Sequence, residues 1–301
     1  MSSDAQAFDP DEIASAVANL VSEHYVFPEQ AADLSGLLRT RIGAGDYRSV
    51  SEPAELATIL TTDLQSTNGD RHLRVLHTAE PVADLADEDE ELAVWTARAD
   101  ADSGGIARVE LLQGEVGLVE LRPIIYPAEL VADRIAEAMT IVGDASALIL
   151  DVRNCVGGSP DTVALICSYV FDDKPVHLNS MVDGSGAETS QSWTLASVPG
   201  RRFGGEKPVA VLVGSDTFSG GEELAYDLQQ LGRATIVGEQ TGGGAHPRVG
   251  FRVYANLEAT IPVARARNPV SGTNWELIGV TPDIPIAGDR ALDRALELLS
   301  D

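Results

Sequence analysis

Residues Val209 to Thr241, VAVLVGSDTFSGGEELAYDLQQLGRATIVGEQT, leave little freedom to the fold around them. The β-branched run Val209 to Val213 ends at Gly214, as a strand buried on both faces does. Ser219-Gly220-Gly221 then opens a helical stretch with Leu224, Ala225 and Leu228 on one side. A hydroxyl at such a junction sits near backbone N–H groups that can bind an oxyanion. The same residues also fit a plainer role. Ser219-x-x-Glu222 is a capping box, in which hydroxyl and carboxylate satisfy the orphan N–H groups of a first helical turn.

A second glycine-rich strand exit lies upstream. Ala147 to Arg153, ALILDVR, reads as a buried strand, continues as NCVGGSPD, and is followed by the helical pattern Thr162 to Phe171. Gly157-Gly158 is either an ordinary strand-to-helix turn or a stretch of bare backbone whose N–H is aimed at developing negative charge. With Gly220, the two loops can supply both halves of one oxyanion hole.

LILDVRNCVGG, SDTFSGGEELAYDLQ, IVGEQTGGG and GVTPDIPI, in that order and with TTDLQSTNGDRHLRV upstream, resemble the C-terminal-processing (tail-specific) serine protease family. The resemblance runs from about Asp11 to Ile286 and points to the tricorn-core and interphotoreceptor-retinoid-binding-protein-like branch. It implies an α/β fold with a crotonase-like core of stacked βαβ units and an N-terminal helical segment. It also implies a serine nucleophile, Ser219, and cleavage of peptides or protein C-termini, with no cofactor and no metal.

Many relatives activate the serine with a lysine 25 residues downstream, where this chain has Gly244. The two lysines, Lys174 and Lys207, lie elsewhere. An imidazole is then the natural proton acceptor. His24 and His177 read as surface or packing residues, and His77 has no counterpart in the family pattern. His72 matches the general base of the tricorn-like branch, and His246, among glycines, is the alternative. That branch orients its histidine through an adjacent serine and a glutamate before the GVxPD motif. The glutamate matches Glu276, whereas Arg71 stands where the serine would be. The acceptor for His72 is therefore Glu276 directly, Asp70, or a hydroxyl from elsewhere.

Other chemistries fit less well. The α/β-hydrolase elbow needs G-x-S-x-G, and the chain reads Thr217-Phe218-Ser219-Gly220-Gly221. An acyl-CoA-handling crotonase relative needs neither the GVxPD motif nor an upstream histidine. A catalytically inactive homologue that binds a hydrophobic small ligand, as retinoid-binding relatives do, would leave Ser219 as a cap.

The expected organisation is a helical segment ending in a strand over 1–78, an acidic linker and connecting segment over 79–108, a catalytic core over 109–288 and a C-terminal helix over 289–301. No PDZ-sized module fits between linker and core. In crotonase-like chains such a terminal helix packs at subunit interfaces, so a homo-oligomer is expected. The formal net charge of −26 disfavours nucleic acid and anionic membranes as partners. The 2 cysteines lack metal-ligand spacing and form no disulfide framework. The acidic, polar start and the lack of a long apolar run place the protein in the cytoplasm by expectation, or mark it as a trimmed mature form.

Overall fold

The computed structural model describes residues 7–82 and 88–300. From the N-terminus come helices α1 (Pro10–His24), α2 (Pro28–Ala44) and α3 (Pro53–Leu64), strand β1 (Arg74–His77) and helix α4 (Glu88–Ala101). Strands β2 (Ile106–Leu112) and β3 (Val116–Leu121), helix α5 (Ala128–Val142), strand β4 (Ala147–Asp151) and helix α6 (Pro160–Val170) follow. Next are strands β5 (His177–Val182), β6 (Glu188–Trp193) and β7 (Val209–Val213), helix α7 (Gly220–Gln230) and strand β8 (Thr235–Gly238). Strands β9 (Arg248–Tyr254), β10 (Leu257–Pro262), β11 (Arg265–Arg267) and β12 (Ile284–Pro285) and helix α8 (Ala291–Leu299) complete the chain. Helix α4 occupies part of the stretch read as a connecting segment, and residues 84–87 of the acidic run lie outside the described residues.

These elements form two compact units. The first comprises Met1–Glu91, Val182–Glu188 and His246–Arg265. Proline at the first position of α1, α2 and α3 starts each helix, because its missing N–H is one that a helix start leaves unpaired anyway. Asp9 caps α1 by accepting the N–H groups of Asp11 (2.9 Å) and Glu12 (3.2 Å). Leu56, Leu60 and Leu64 face inward along α3 and join Val17, Leu34 and Leu38 in one core. An antiparallel sheet of order β1-β10-β9 lays Val75, Ala259 and Ile261 against that core. Strands β9 and β10, which lie inside the stretch read as the catalytic core, therefore pair with β1 instead. The pairing joins residues about 180 positions apart, a distance that no local pattern can report.

The second unit comprises Leu92–Met181, Thr189–Ala245 and Ala266–Asp301. Its six-stranded sheet has the order β12-β8-β7-β4-β3-β2; every neighbouring pair is parallel except the β2-β3 hairpin at one edge. Strands β4 (ALILD) and β7 (VAVLV) are buried at every position, as apolar strands in the middle of a parallel sheet must be. The sequence β3-α5-β4-α6 and then β7-α7-β8 gives the crotonase-like run of βαβ units. One face packs Leu148, Leu150, Val211 and Val213 against α5, α6 and α7, and the other buries Ile149, Ala210 and Leu212 under α8. The C-terminal ends of β4 and β7 lie side by side, so the two glycine-bearing loops leave the sheet as neighbours. Among the described residues no helix is long and apolar enough to cross a membrane.

Leu148 is fully buried at the centre of this sheet. Leu148→Ala is expected to destabilise the protein by about 2–5 kcal/mol through lost burial and a residual cavity. Chemical denaturation reads this as a lower midpoint at unchanged slope, and a loss under about 1 kcal/mol would contradict the packing described.

Candidate active site

Ser219 stands where β7 gives way to α7, with φ 50° and ψ −119°. That conformation suits glycine and strains a residue with a Cβ, by about 1–3 kcal/mol, so something other than local preference keeps serine there. The capping box is present, but its strong half belongs to the glutamate. The Ser219 N–H donates to Glu222 Oε2 at 2.9 Å, whereas the Ser219 hydroxyl faces the Glu222 N–H without a full hydrogen bond into the first turn. The hydroxyl is thus left available for chemistry.

The loop after β4 comes up against it. A methyl group on Gly157 would stand 3.2 Å from Ser219 Cβ and 3.6 Å from its Oγ, and one on Gly220 would be 2.8 Å from the Gly158 nitrogen. Gly158 is itself wedged on Ile125, whose carbonyl oxygen a Cβ would approach to 2.1 Å. Ile125 holds this loop by donating to the Gly157 carbonyl (2.9 Å) and accepting the Ser159 N–H (2.8 Å). Those bonds use the Gly157 carbonyl and the Ser159 N–H and leave the Gly158 N–H between them. Among the described residues, the N–H groups of Gly158 and Gly220 donate to no protein acceptor, and Gly220 opens α7, where the helix dipole adds positive potential. Gly157, Gly158 and Gly220 are brought together around Ser219, as expected for an oxyanion hole.

Glu222 organises what lies behind the serine, a role that the sequence signals only as a cap. Its fully buried carboxylate accepts four hydrogen bonds: from the Ser219 N–H (2.9 Å), the Thr241 hydroxyl (2.5 Å), and the N–H groups of Gly243 (2.6 Å) and Gly244 (2.8 Å). Burial pushes the Glu222 carboxyl above its ordinary value, and these donors oppose the push. Thr241 in turn accepts the Val280 N–H at 2.7 Å, which ties in the GVTPD segment. Asp283 of that segment accepts the Ile236 N–H (2.8 Å) and the Gln229 amide (3.0 Å), joining β8 to α7. Where other relatives carry a lysine, Gly244 therefore offers its backbone N–H to Glu222.

Glu276 accepts the Ala245 N–H at 2.6 Å, and the Trp275 indole donates to the Gly244 carbonyl at 2.8 Å. The segment that carries Glu276 is fastened to α7 through Asn268, whose side-chain amide donates to Asp227 Oδ1 (3.2 Å) and the Leu178 carbonyl (3.1 Å). Burial raises the carboxyls of Glu223 and Asp227, one turn apart on α7, and the Glu223 charge adds to the rise at Asp227.

The remaining expected residues lie in the first unit. His246 is buried, with Nδ1 2.8 Å from Asp70 Oδ2 and its ring edge-on to Phe27. Asp70 also accepts from the Tyr25 hydroxyl (3.1 Å) and, through Oδ1, from the His72 backbone N–H (3.0 Å). Burial would raise the Asp70 carboxyl, but the His246 hydrogen bond and charge hold it below its ordinary value. Asp70 thus holds the His246 side chain and accepts the His72 main-chain N–H. His72 is buried too, which pushes its imidazole down to about 4; the Asp70 charge opposes this, and Arg248, His246 and Arg74 add to it. His24 stacks on Phe251, and His177 stacks on Trp193 and bonds Ser180, packing roles both.

Residues 115–286 match the family described as Peptidase family S41, and residues 10–104 match its N-terminal domain as found in eukaryotic IRBP. The chain is 29% identical over 152 residues to carboxyl-terminal-processing peptidase 2, chloroplastic, of Arabidopsis thaliana, which covers 48% of this chain and 26% of that protein. The chain thus spans about a quarter of the length of that relative. Among solved structures, a putative peptidase from Parabacteroides merdae has TM-score 0.67 at 18% identity and covers 98% of both chains. A lipoprotein from Streptococcus agalactiae has TM-score 0.67 at 14% identity, covering 99% of each. These likenesses show the fold.

If strain and not capping dominates at position 219, Ser219→Gly raises stability by about 1 kcal/mol, since glycine adopts this backbone freely. A thermal denaturation series that instead showed a loss of 1 kcal/mol or more would make the hydroxyl a structural cap. Glu222→Gln turns two acceptor oxygens into one and places an NH2 against backbone donors. It is expected to cost about 1–3 kcal/mol and to speed amide exchange at Gly243 and Gly244; unchanged exchange there would refute the tether.

Proposed function

The chain belongs to peptidase family S41, and we propose that it is a serine peptidase acting through an acyl-enzyme on Ser219. The observation that carries this reading is the strained serine with the N–H groups of Gly158 and Gly220 beside it, which have no acceptor among the described residues. In the proposed reaction Ser219 Oγ attacks the scissile carbonyl and its proton passes to an imidazole. The N–H groups of Gly220 and Gly158, with Gly157 beside them, receive the oxyanion of the tetrahedral intermediate. The imidazole then gives the proton to the leaving amine, and water, deprotonated by the same base, hydrolyses the acyl-enzyme to free Ser219. His72 is the proposed base and Glu276 the residue that stabilises its charged form. Burial keeps the His72 imidazole neutral, the form that accepts a proton, and the Asp70 charge opposes the loss of basicity that burial brings. The proposed substrates are peptides or protein C-termini, in keeping with the chloroplastic relative, whose name describes processing at carboxyl termini. No part of this scheme calls for a metal or a cofactor.

A fluorophosphonate probe tests the nucleophile. The adduct is expected on Ser219, and Ser219→Ala is expected to lose labelling and to lower peptide hydrolysis by several orders of magnitude. Labelling elsewhere, or hydrolysis at the parent rate in the variant, would end the proposal.

The base has its own signature in pH. Because the folded pKa of His72 lies below the ordinary value of about 6.5, the acid limb of kcat/KM for the free enzyme is expected well below that value, with activity retained at pH 5. The same shift makes the folded state weaken as pH falls from about 6.5 toward 4, where only the unfolded chain protonates this imidazole readily. His72→Ala should remove the limb with nearly all turnover. A parent-like His72→Ala beside an inert His246→Ala would transfer the role to the Asp70-oriented histidine.

A further inference from the structure

The direction of the Gly158 N–H beside Ser219 is set by one peptide plane. In a trans peptide the carbonyl of one residue and the N–H of the next point opposite ways in that plane, so a grip on the Gly157 carbonyl also aims the Gly158 N–H. Neither glycine holds the plane by itself. They lie at φ 142° and 144°, and without a Cβ each turns freely. The grip comes from the far side: the Ile125 N–H donates to the Gly157 carbonyl at 2.9 Å, and the thiol of Cys155 donates to the same oxygen with Sγ at 3.4 Å.

Cys155 is fully buried and forms no disulfide. Burial pushes its thiol up to about 11, with the N–H groups of Gly157 and Ile125 opposing, so at neutral pH the sulfur keeps its proton and serves as a donor. The sulfur also meets the second loop. A methyl group on Gly221 would stand 3.2 Å from Sγ, and the Cys155 carbonyl accepts the Phe218 N–H at 3.0 Å, so α7 starts directly against this residue. Cys155 thus touches both the loop that carries Gly158 and the first turn that carries Gly220.

Packing alone does not account for this contact. Alanine would occupy part of the same space, but it brings no second donor to the Gly157 carbonyl. We propose that Cys155 is a positioning residue of the oxyanion hole: its side chain fixes the plane of the peptide that joins Gly157 to Gly158 and so aims the Gly158 N–H. A thiol hydrogen bond is weak, and its effect on rate comes through geometry, because a donor displaced from the developing charge loses its value steeply. A bond accepted by the carbonyl also polarises the peptide and strengthens its N–H as a donor. The oxyanion as ligand rests on the peptidase reading, whereas the orientation of the peptide does not.

The full chain is compared with two variants, Cys155→Ala, which removes the hydrogen bond, and Cys155→Ser, which keeps a donor in less volume. In peptide hydrolysis Cys155→Ala is expected to lower kcat about tenfold or more with KM within about twofold, because the donor acts on the transition state and not on substrate binding. Cys155→Ser is expected to recover kcat to within about threefold of the parent. Parent-like kcat in Cys155→Ala, or an equal loss in both variants, overturns the proposal. Amide exchange of the folded proteins gives a reading that needs no turnover. The Ile125 N–H, bonded to the same carbonyl, is expected to exchange about fivefold or more faster in Cys155→Ala than in the parent, relative to amides of β4 and β7, and to return toward the parent rate in Cys155→Ser. Unchanged Ile125 exchange in Cys155→Ala shows that the thiol does not hold the peptide and likewise overturns the proposal. Should Cys155→Ala fail to fold, Cys155→Ser decides alone, and a folded Cys155→Ser with kcat lowered by about tenfold or more counts against it. A parent without hydrolytic activity ends the peptidase reading, and the exchange measurement then decides the role of Cys155 by itself.

Discussion

The arrangement around Ser219 depends on one buried carboxylate. Glu222 takes the Ser219 N–H with one oxygen and, across the two, the Thr241 hydroxyl and the N–H groups of Gly243 and Gly244. A fully buried carboxyl would ordinarily be costly, and its four donors are what make it tolerable. The result fixes the entry into α7, the 241–244 loop and, through Thr241 and Val280, the GVTPD segment as one piece. Serine can then be held at φ 50°, because the surrounding hydrogen bonds determine its backbone more strongly than its own preference does.

The parallel sheet supplies the other half. Strands β4 and β7 are adjacent, so the loops that follow them leave the sheet side by side at its C-terminal edge, where open α/β sheets bind ligands. Glycine is required at 157 and 158 for two separate reasons: both lie at positive φ, and at 158 any Cβ would collide with the Ile125 carbonyl. Ile125 takes the Gly157 carbonyl and the Ser159 N–H and leaves the Gly158 N–H between them as a donor.

Charge in this chain is distributed in contrasts. The chain as a whole is strongly acidic, α7 carries the buried acids Glu223 and Asp227, and the register of β1, β10 and β9 sets Arg74, Arg248 and Arg252 on one face of their sheet. Net charge alone describes solubility and excludes polyanions as partners, but it is silent on where the exceptions fall. The exceptions are where recognition is expected, because a local charge opposite to the bulk selects its ligand both by attraction and by the repulsion around it.

The local patterns settled much of this protein. Apolar runs fixed β4 and β7, the helical pattern fixed α6, and the Ser219-Gly220-Gly221 and Gly157-Gly158 motifs located the candidate oxyanion hole, because period and glycine requirements are properties of neighbouring residues. The pairing of β9 and β10 with β1 was hidden from these patterns, and so was the attachment of Asp70 to His246. Glu222 looked like a cap from its spacing, and only the fold brings the Thr241 to Gly244 segment within reach of the same carboxylate. Arg74 and Arg248 are ordinary charged residues along the chain and come to share one sheet face only once β10 lies between their strands. Contacts between distant residues are decided by burial and strand register acting over the whole chain, and those were left to the tertiary structure.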